Sequence, residues 1–329
     1  MEDATLRVQN LTKHFPIKMG FFKTLTAKEV PVVRAVDDVS FNIKKGEIFG
    51  LVGESGSGKT TLGRLILRLI EPTGGQIFFN GTDIATIPEN KMRKLRSKMQ
   101  IIFQDPYESL NPRLSAYDTI AEPLELQKAV HNQDELRKRI IESLEEVGLT
   151  PAETFIYRFP HELSGGQRQR VYIARIFALR PEFIVADEPV SMLDASIRGE
   201  VLKLMLGLVE KLDCTFLYIT HDLALSRIIC NRIAVMYFGK IVEIGPASEL
   251  IKHPFNPYTK LLLSAVLVPD PTVKKAESVA RGEIPSPLSP PSGCRFHPRC
   301  KNAKDICRTK EPSLVEVGKE HYAACHANH

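Results

Sequence analysis

The stretch Gly53-Glu54-Ser55-Gly56-Ser57-Gly58-Lys59-Thr60 constrains this chain most, because it fills the pattern G-x-x-x-x-G-K-[ST] at every fixed position. An apolar run, Ile48 to Val52, precedes it, and Leu62, Leu65, Ile66 and Leu69 follow at helical spacing. Strand, glycine loop and helix in that order predict an α/β fold with a parallel sheet and the loop at a helix N-terminus. Three glycines let successive amides turn inward as an anion nest without Cβ collisions. Lys59 adds a positive charge, Thr60 offers a hydroxyl to Mg²⁺, and the helix dipole presents its positive end. The expected contacts to a bound nucleotide are therefore Gly53, Ser55, Gly56, Ser57, Gly58, Lys59, Thr60 and Thr61. A glycine-rich turn with a chance Lys-Thr is the plainer alternative, and the flanking strand and helix weigh against it.

With 329 residues, 43% of them hydrophobic and 25% charged, the chain is long enough for one large domain and an appendage. A net charge of +5 permits attraction to acidic partners or an anionic membrane surface without specifying either. No apolar run reaches bilayer length, and Met1-Glu2-Asp3 does not open a signal peptide. The expectation is a soluble or peripheral protein on the cytosolic side, where ATP is found.

Upstream, Leu6 to Val8 and Val36 to Ile43 read as strands of a hairpin that carries an insertion between Pro16 and Pro31. Phe15 is suited to stack on an adenine ring, or equally to serve as a core or loop aromatic. Downstream, Gln76 to Phe79 reads as a strand, Asn80-Gly81 as a hairpin turn, and Met99 to Phe103 as a strand leading to Gln104. Leu136, Ile140, Leu144 and Val147 share one face of a helix that Gly148 stops. Ser164, followed by Gly165, Gly166 and Gln167, is placed to cap a helix and form a second anion site; alone, Ser-Gly-Gly is a common linker. Phe183 to Ala186 reads as a buried parallel strand ending in Asp187-Glu188, a carboxylate pair suited to Mg²⁺ and to activating water. A polar loop, Ser191 to Asp194, leads into a helix reaching about Glu210, and the strand Thr215 to Thr220 delivers His221. Cys214 and Cys230 read as small buried hydrophobes.

Taken together, the glycine cradle, Gln104, Leu163 to Gln167, Asp187-Glu188, Ser191 to Asp194 and His221 resemble the ATPase subunit of an ABC transporter in order and spacing. The resemblance implies ATP and Mg²⁺ as cofactors, with Thr60, Gln104 and Asp187 at the metal. It implies Glu188, His221, Lys59 and Gln104 as the catalytic set, and Phe15 as the platform under adenine. Ser164, Gly165, Gly166, Gln167 and Asp194 would meet nucleotide held by another subunit. Val33 to Phe41, Asp187 to Ser191 and Gly282 to Pro287 further resemble the oligopeptide/dipeptide importer subgroup, on the side of its F-type partner. Met192, Arg198 and Glu200 depart from that pattern.

The last 36 residues of the 329 hold Cys294, Cys300, Cys307 and Cys325. Four clustered thiols suggest a metal site more than disulfides, and their wide gaps fit tight zinc pairs poorly. A [4Fe–4S] cluster takes four separated thiolates, and the importer resemblance favours it over zinc or free thiols. The expected layout is a P-loop ABC ATPase domain over 1–250, a helical subdomain inserted at about 89–165, and a C-terminal extension over 251–329. That extension holds a Pro-rich connector and the cysteine module. The expected partners are a homologous ATPase subunit, two membrane permeases and, indirectly, a substrate-binding protein, with no nucleic acid. The expected place is the cytoplasmic face of the membrane. An ATPase acting on nucleic acid or ribosomes, an ATP-sensing regulatory subunit, and import of oligosaccharides or metal complexes stand as alternatives.

Overall fold

The computed structural model describes residues 4–17, 31–104, 110–265, 286, 288 and 290–328. The insertion expected after Pro16 and the Gly282 to Pro287 motif fall largely outside them. In chain order the strands are β1 (Ala4–Pro16), β2 (Val32–Lys44), β3 (Ile48–Val52), β4 (Gly74–Phe79), β5 (Thr82–Asp83), β6 (Met99–Ile102), β7 (Phe183–Asp187), β8 (Thr215–Thr220), β9 (Arg232–Tyr237), β10 (Lys240–Pro246), β11 (Val315–Gly318) and β12 (His321–Ala323). The helices are α1 (Lys59–Ile66), α2 (Glu89–Leu95), α3 (Ala116–Leu126), α4 (Gln133–Glu146), α5 (Gly165–Phe177), α6 (Ala195–Lys211), α7 (Leu223–Ile229), α8 (Ala247–Lys252), α9 (Pro257–Ala265) and α10 (Ile306–Thr309). The chain divides into two compact units, one built on 44–47 and 86–218, the other on 4–43, 48–85 and 219–329.

In the first unit β7 lies between β6 and β8. It runs parallel to β6, with Met99 opposite Phe183 and Ile102 opposite Ala186. Every residue of β7 is buried, as a strand covered on both faces requires, which explains the unbroken apolar run ahead of Asp187. Helices α3, α4 and α5 pack on one another. Leu136, Ile140 and Leu144 are the buried stripe of α4, capped by Asn132 and ended by Gly148 at φ +73°. Ser115 and Asp118 form a reciprocal capping box that starts α3.

In the second unit one sheet runs β2-β1-β4-β5. Strands β1 and β4 are antiparallel, with Leu6 opposite Phe79 and Val8 opposite Ile77. Asn80 and Gly81 both take positive φ, 46° and 79°, as a two-residue hairpin turn demands. A second set of strands runs β11-β12-β10-β9-β3, with β3 parallel to β9 and β10 antiparallel to both β9 and β12. Strands β1 and β2 are longer than the apolar runs that announce them: β1 continues through the half-buried Thr12 and Lys13, and β2 begins at Val32, ahead of the exposed Arg34. Leu69 does not join the buried stripe of α1: the helix ends at Ile66 and Leu69 is 43% exposed.

Candidate nucleotide site

In the second unit the cradle joins β3 to α1. Gly53 and Gly58 are fixed by close approach, since a Cβ would stand 2.2 Å from Met236 O at the first and 2.1 Å from Ala35 O at the second, where φ is +106°. Only glycine fits there. Gly58 is also the N-cap of α1 and brings no side-chain acceptor, and the first turn carries no acidic residue. The helix start is thus electropositive and open to an anion. Lys59 is buried, and its Nζ donates to Gly53 O at 2.8 Å and Glu54 O at 2.9 Å. Ser57 is buried, whereas Ser55, Gly56 and Thr60 are exposed and Thr61 is half-buried. Phe15 is 39% exposed on β1, with Lys13 Nζ 5.1 Å from its ring centre. His221 is exposed between β8 and α7. The N-cap of that helix is Asp222, whose Oδ1 accepts from Leu225 N at 2.9 Å.

In the first unit Asp187 closes β7 at 8% exposure and Glu188 follows at φ +48°, a strained conformation for a side chain with a Cβ. Gln104 Nε2 donates to Glu188 Oε2 at 3.5 Å, the outer limit of a hydrogen bond. Ser191 Oγ donates to Glu188 O at 3.0 Å and pins the turn behind the carboxylate. Ser164 caps α5: its Oγ accepts from Gln167 N at 3.3 Å, and Gln167 Oε1 accepts from Ser164 N at 3.0 Å. The Gln167 carbonyl is therefore engaged in shaping the helix start. Gly165 is half-buried, Gly166 is buried with Ile197 close by, and Asp194 is exposed at the N-cap of α6.

Two residues to which the sequence assigned no role shape this loop. Gln169, wholly buried, donates from Nε2 to Pro189 O at 3.0 Å, which ties α5 to the turn after Glu188. Arg198, one of the departures from the family pattern, donates from Nη2 to Ser191 O at 3.3 Å and Leu193 O at 3.0 Å. Neither carries a sequence signal, because a buried glutamine and a loop-bracing arginine look like ordinary helix residues. Glu200, another departure, pairs with Arg170 at 3.4 Å, and Met192 is 58% exposed.

Cys214 and Cys230 are buried as expected, and burial pushes the Cys214 thiol up to about 12. Cys294, Cys300, Cys307 and Cys325 all line one cavity of about 280 Å³ within the second unit. Burial first, and then the neighbouring thiols, push Cys294 up to about 11 against a hydrogen bond from the Phe296 backbone. Among the described residues, however, no three His, Cys, Asp or Glu side chains form a group that could hold a metal ion. The structure thus gives the expected iron–sulfur site a shared cavity without a formed ligand set. No helix among the described residues is long and apolar enough to cross a membrane.

A strand, a glycine cradle and an uncapped helix start with a lysine folded onto the loop define a P-loop nucleotide-binding protein of the α/β class. Residues 36–191 match the ABC transporter family and residues 242–307 the C-terminal region of oligopeptide/dipeptide transporters. The chain is 48% identical over 326 residues to a probable peptide ABC transporter ATP-binding protein of Sinorhizobium fredii, covering 99% of this chain and 90% of the relative. It is 47% identical over 331 residues to the oligopeptide transport ATP-binding protein AppF of Bacillus subtilis, covering 99% and 98%. Among solved structures it resembles the dimeric post-hydrolysis state of the ATP-binding cassette MJ0796 bound to ADP and Pi, at 32% identity and TM-score 0.63, over 74% of this chain and 98% of that one. The chain belongs to the ABC transporter family as an ATP-binding subunit of the oligopeptide/dipeptide group, and it is an ATPase.

Proposed function

We propose that this ATPase powers the uptake of peptides through partner permeases at the cytoplasmic face of the membrane. The carrying observation is the pairing of an ABC cassette with an oligopeptide/dipeptide C-terminal region in one chain whose full-length relatives bear peptide-transport names. Residues 89–165 are read as the helical subdomain that meets the permeases, and 251–329 as the C-terminal extension.

Roles follow from chemistry. The cradle amides and Lys59 hold the phosphates, while the oxygens of Thr60, Asp187 and Gln104 are the hard donors that Mg²⁺ prefers. Glu188 polarises the attacking water, His221 meets the γ-phosphate, and Phe15 supports adenine. Catalysis is mainly positioning and charge stabilisation. The N-terminus of α5, with Ser164 to Gln167 and Asp194, is assigned to nucleotide held by a second ATPase subunit, so that ATP also joins the dimer. Glu188→Gln should retain ATP, trap a closed dimer and abolish turnover in the assembled transporter; near-normal hydrolysis would remove Glu188 from its role.

The four C-terminal thiols are read as holding a [4Fe–4S] cluster. The donor set supports this: four cysteines line one cavity, and a cluster spreads its thiolates farther apart than a single ion does, because each binds a different iron. Its proposed task is structural, stapling a tail too small to bury a core of its own.

A further inference from the structure

Glu54 occupies a free position of the cradle motif, and a carboxylate is a poor neighbour for polyphosphate. Its charge is met by Arg299, from the segment between Cys294 and Cys300. Arg299 Nη1 donates to Glu54 Oε2 at 2.7 Å and Nη2 to Oε1 at 3.0 Å, a two-bond fork. The Arg299 side chain is 8% exposed, and its guanidinium lies 5.9 Å from the Tyr237 ring centre and 5.8 Å from that of Phe296. The Glu54 amide donates to Tyr258 Oη at 2.9 Å. The same segment reaches the far side of the loop through Arg295, which donates to Phe238 O and Asp37 Oδ2. The turn it holds is in register with the cradle, since Gly239 N donates to Ser57 O at 2.8 Å.

We propose that Arg299 is a positioning residue for the ATP cradle: it neutralises Glu54 and fixes its carboxylate away from the phosphates, so that the cysteine-bearing tail sets nucleotide affinity. The inference rests on the reading of Gly53 to Thr60 as the ATP site. A carboxylate released near several phosphate charges opposes binding through a partly solvated medium, and a loss of affinity of about tenfold is the expected scale. A tail that merely packed beside the loop would give no charge-specific effect.

The test is ATP affinity of the assembled transporter carrying variants of this chain. Arg299→Gln should raise the Kd for ATP about tenfold, with the gap narrowing at high salt. Adding Glu54→Gln to it should return the Kd to within about threefold of the parent, because the charge no longer needs a partner. Glu54→Gln alone should bind ATP at least as well as the parent to within about twofold, a readout that stands even if Arg299→Gln folds poorly. Lys59→Ala tests the underlying reading separately and should abolish binding. If Lys59→Ala loses ATP while Arg299→Gln stays within twofold of the parent, the proposal is wrong. It is equally wrong if the double variant binds no better than Arg299→Gln, or if Glu54→Gln alone weakens ATP tenfold.

Discussion

Replacing His321 with alanine should loosen the C-terminal strands by about 4 kcal/mol. Glu243 on β10 is completely buried, and its Oε1 faces His321 Nε2 at 2.8 Å. Phe255 N donates to the same oxygen at 2.9 Å and Asn256 N to Oε2 at 3.0 Å. Removing one hydrogen-bond partner from a buried polar group costs ~1–3 kcal/mol, and more where that group is a carboxylate. Each Glu243 oxygen keeps one backbone donor, so ~3 kcal/mol is appropriate. The edge-on contact of Phe255 with the His321 ring, 5.1 Å between centres, is lost as well and adds ~1 kcal/mol. A chain of this length need not unfold in one step, so the measure is native-state hydrogen exchange of the paired amides around Glu243 and Ala323. Adding Glu243→Gln should recover about half of the loss, since a neutral amide is far cheaper to bury than a carboxylate. A change below ~1 kcal/mol for His321→Ala would refute the argument.

Two further expectations concern the same tail. Burial pushes the Asp37 carboxyl up, but Lys240 and Arg295 outweigh it and leave Asp37 below its ordinary value of 3.8. A lowered carboxylate contributes stability that is present above pH 3.8 and lost as pH falls through the folded value. Asp37→Asn should therefore be less stable than the parent in urea at pH 6, with the two curves converging in acid below about pH 3.8; a constant gap would exclude the linkage. For the thiols, protein purified without oxygen should be brown and carry stoichiometric iron and sulfide, and removing them should expose the segment 294–325 to protease. Tightly bound zinc without iron would overturn the cluster reading.

Much of the site was legible because its chemistry demands particular residues at fixed spacing. The glycines at 53 and 58 cannot be other residues without striking Met236 or Ala35. Ser164 announces a helix cap, and the apolar run before Asp187 announces a strand buried on both faces. Buried positions speak through periodicity, which is why α4 and its stop at Gly148 were readable. Polar, half-buried extensions do not, and β1 and β2 outrun their apolar signals for that reason. Leu69 shows the converse error, since helical spacing carries on in sequence after the helix itself has ended.

The sequence by itself determined that this chain would bind a nucleotide's phosphates and belong to the ABC ATPases, because local backbone geometry and residue type suffice for a cradle. Only the tertiary structure decided what holds that cradle and its companions in place. Glu54 sits 245 residues from Arg299, and Gln169 reaches Pro189 from a neighbouring helix. Such contacts leave no periodic trace, since a buried charge is satisfied by whichever residue the fold brings within reach, and sequence distance says nothing about which one that is.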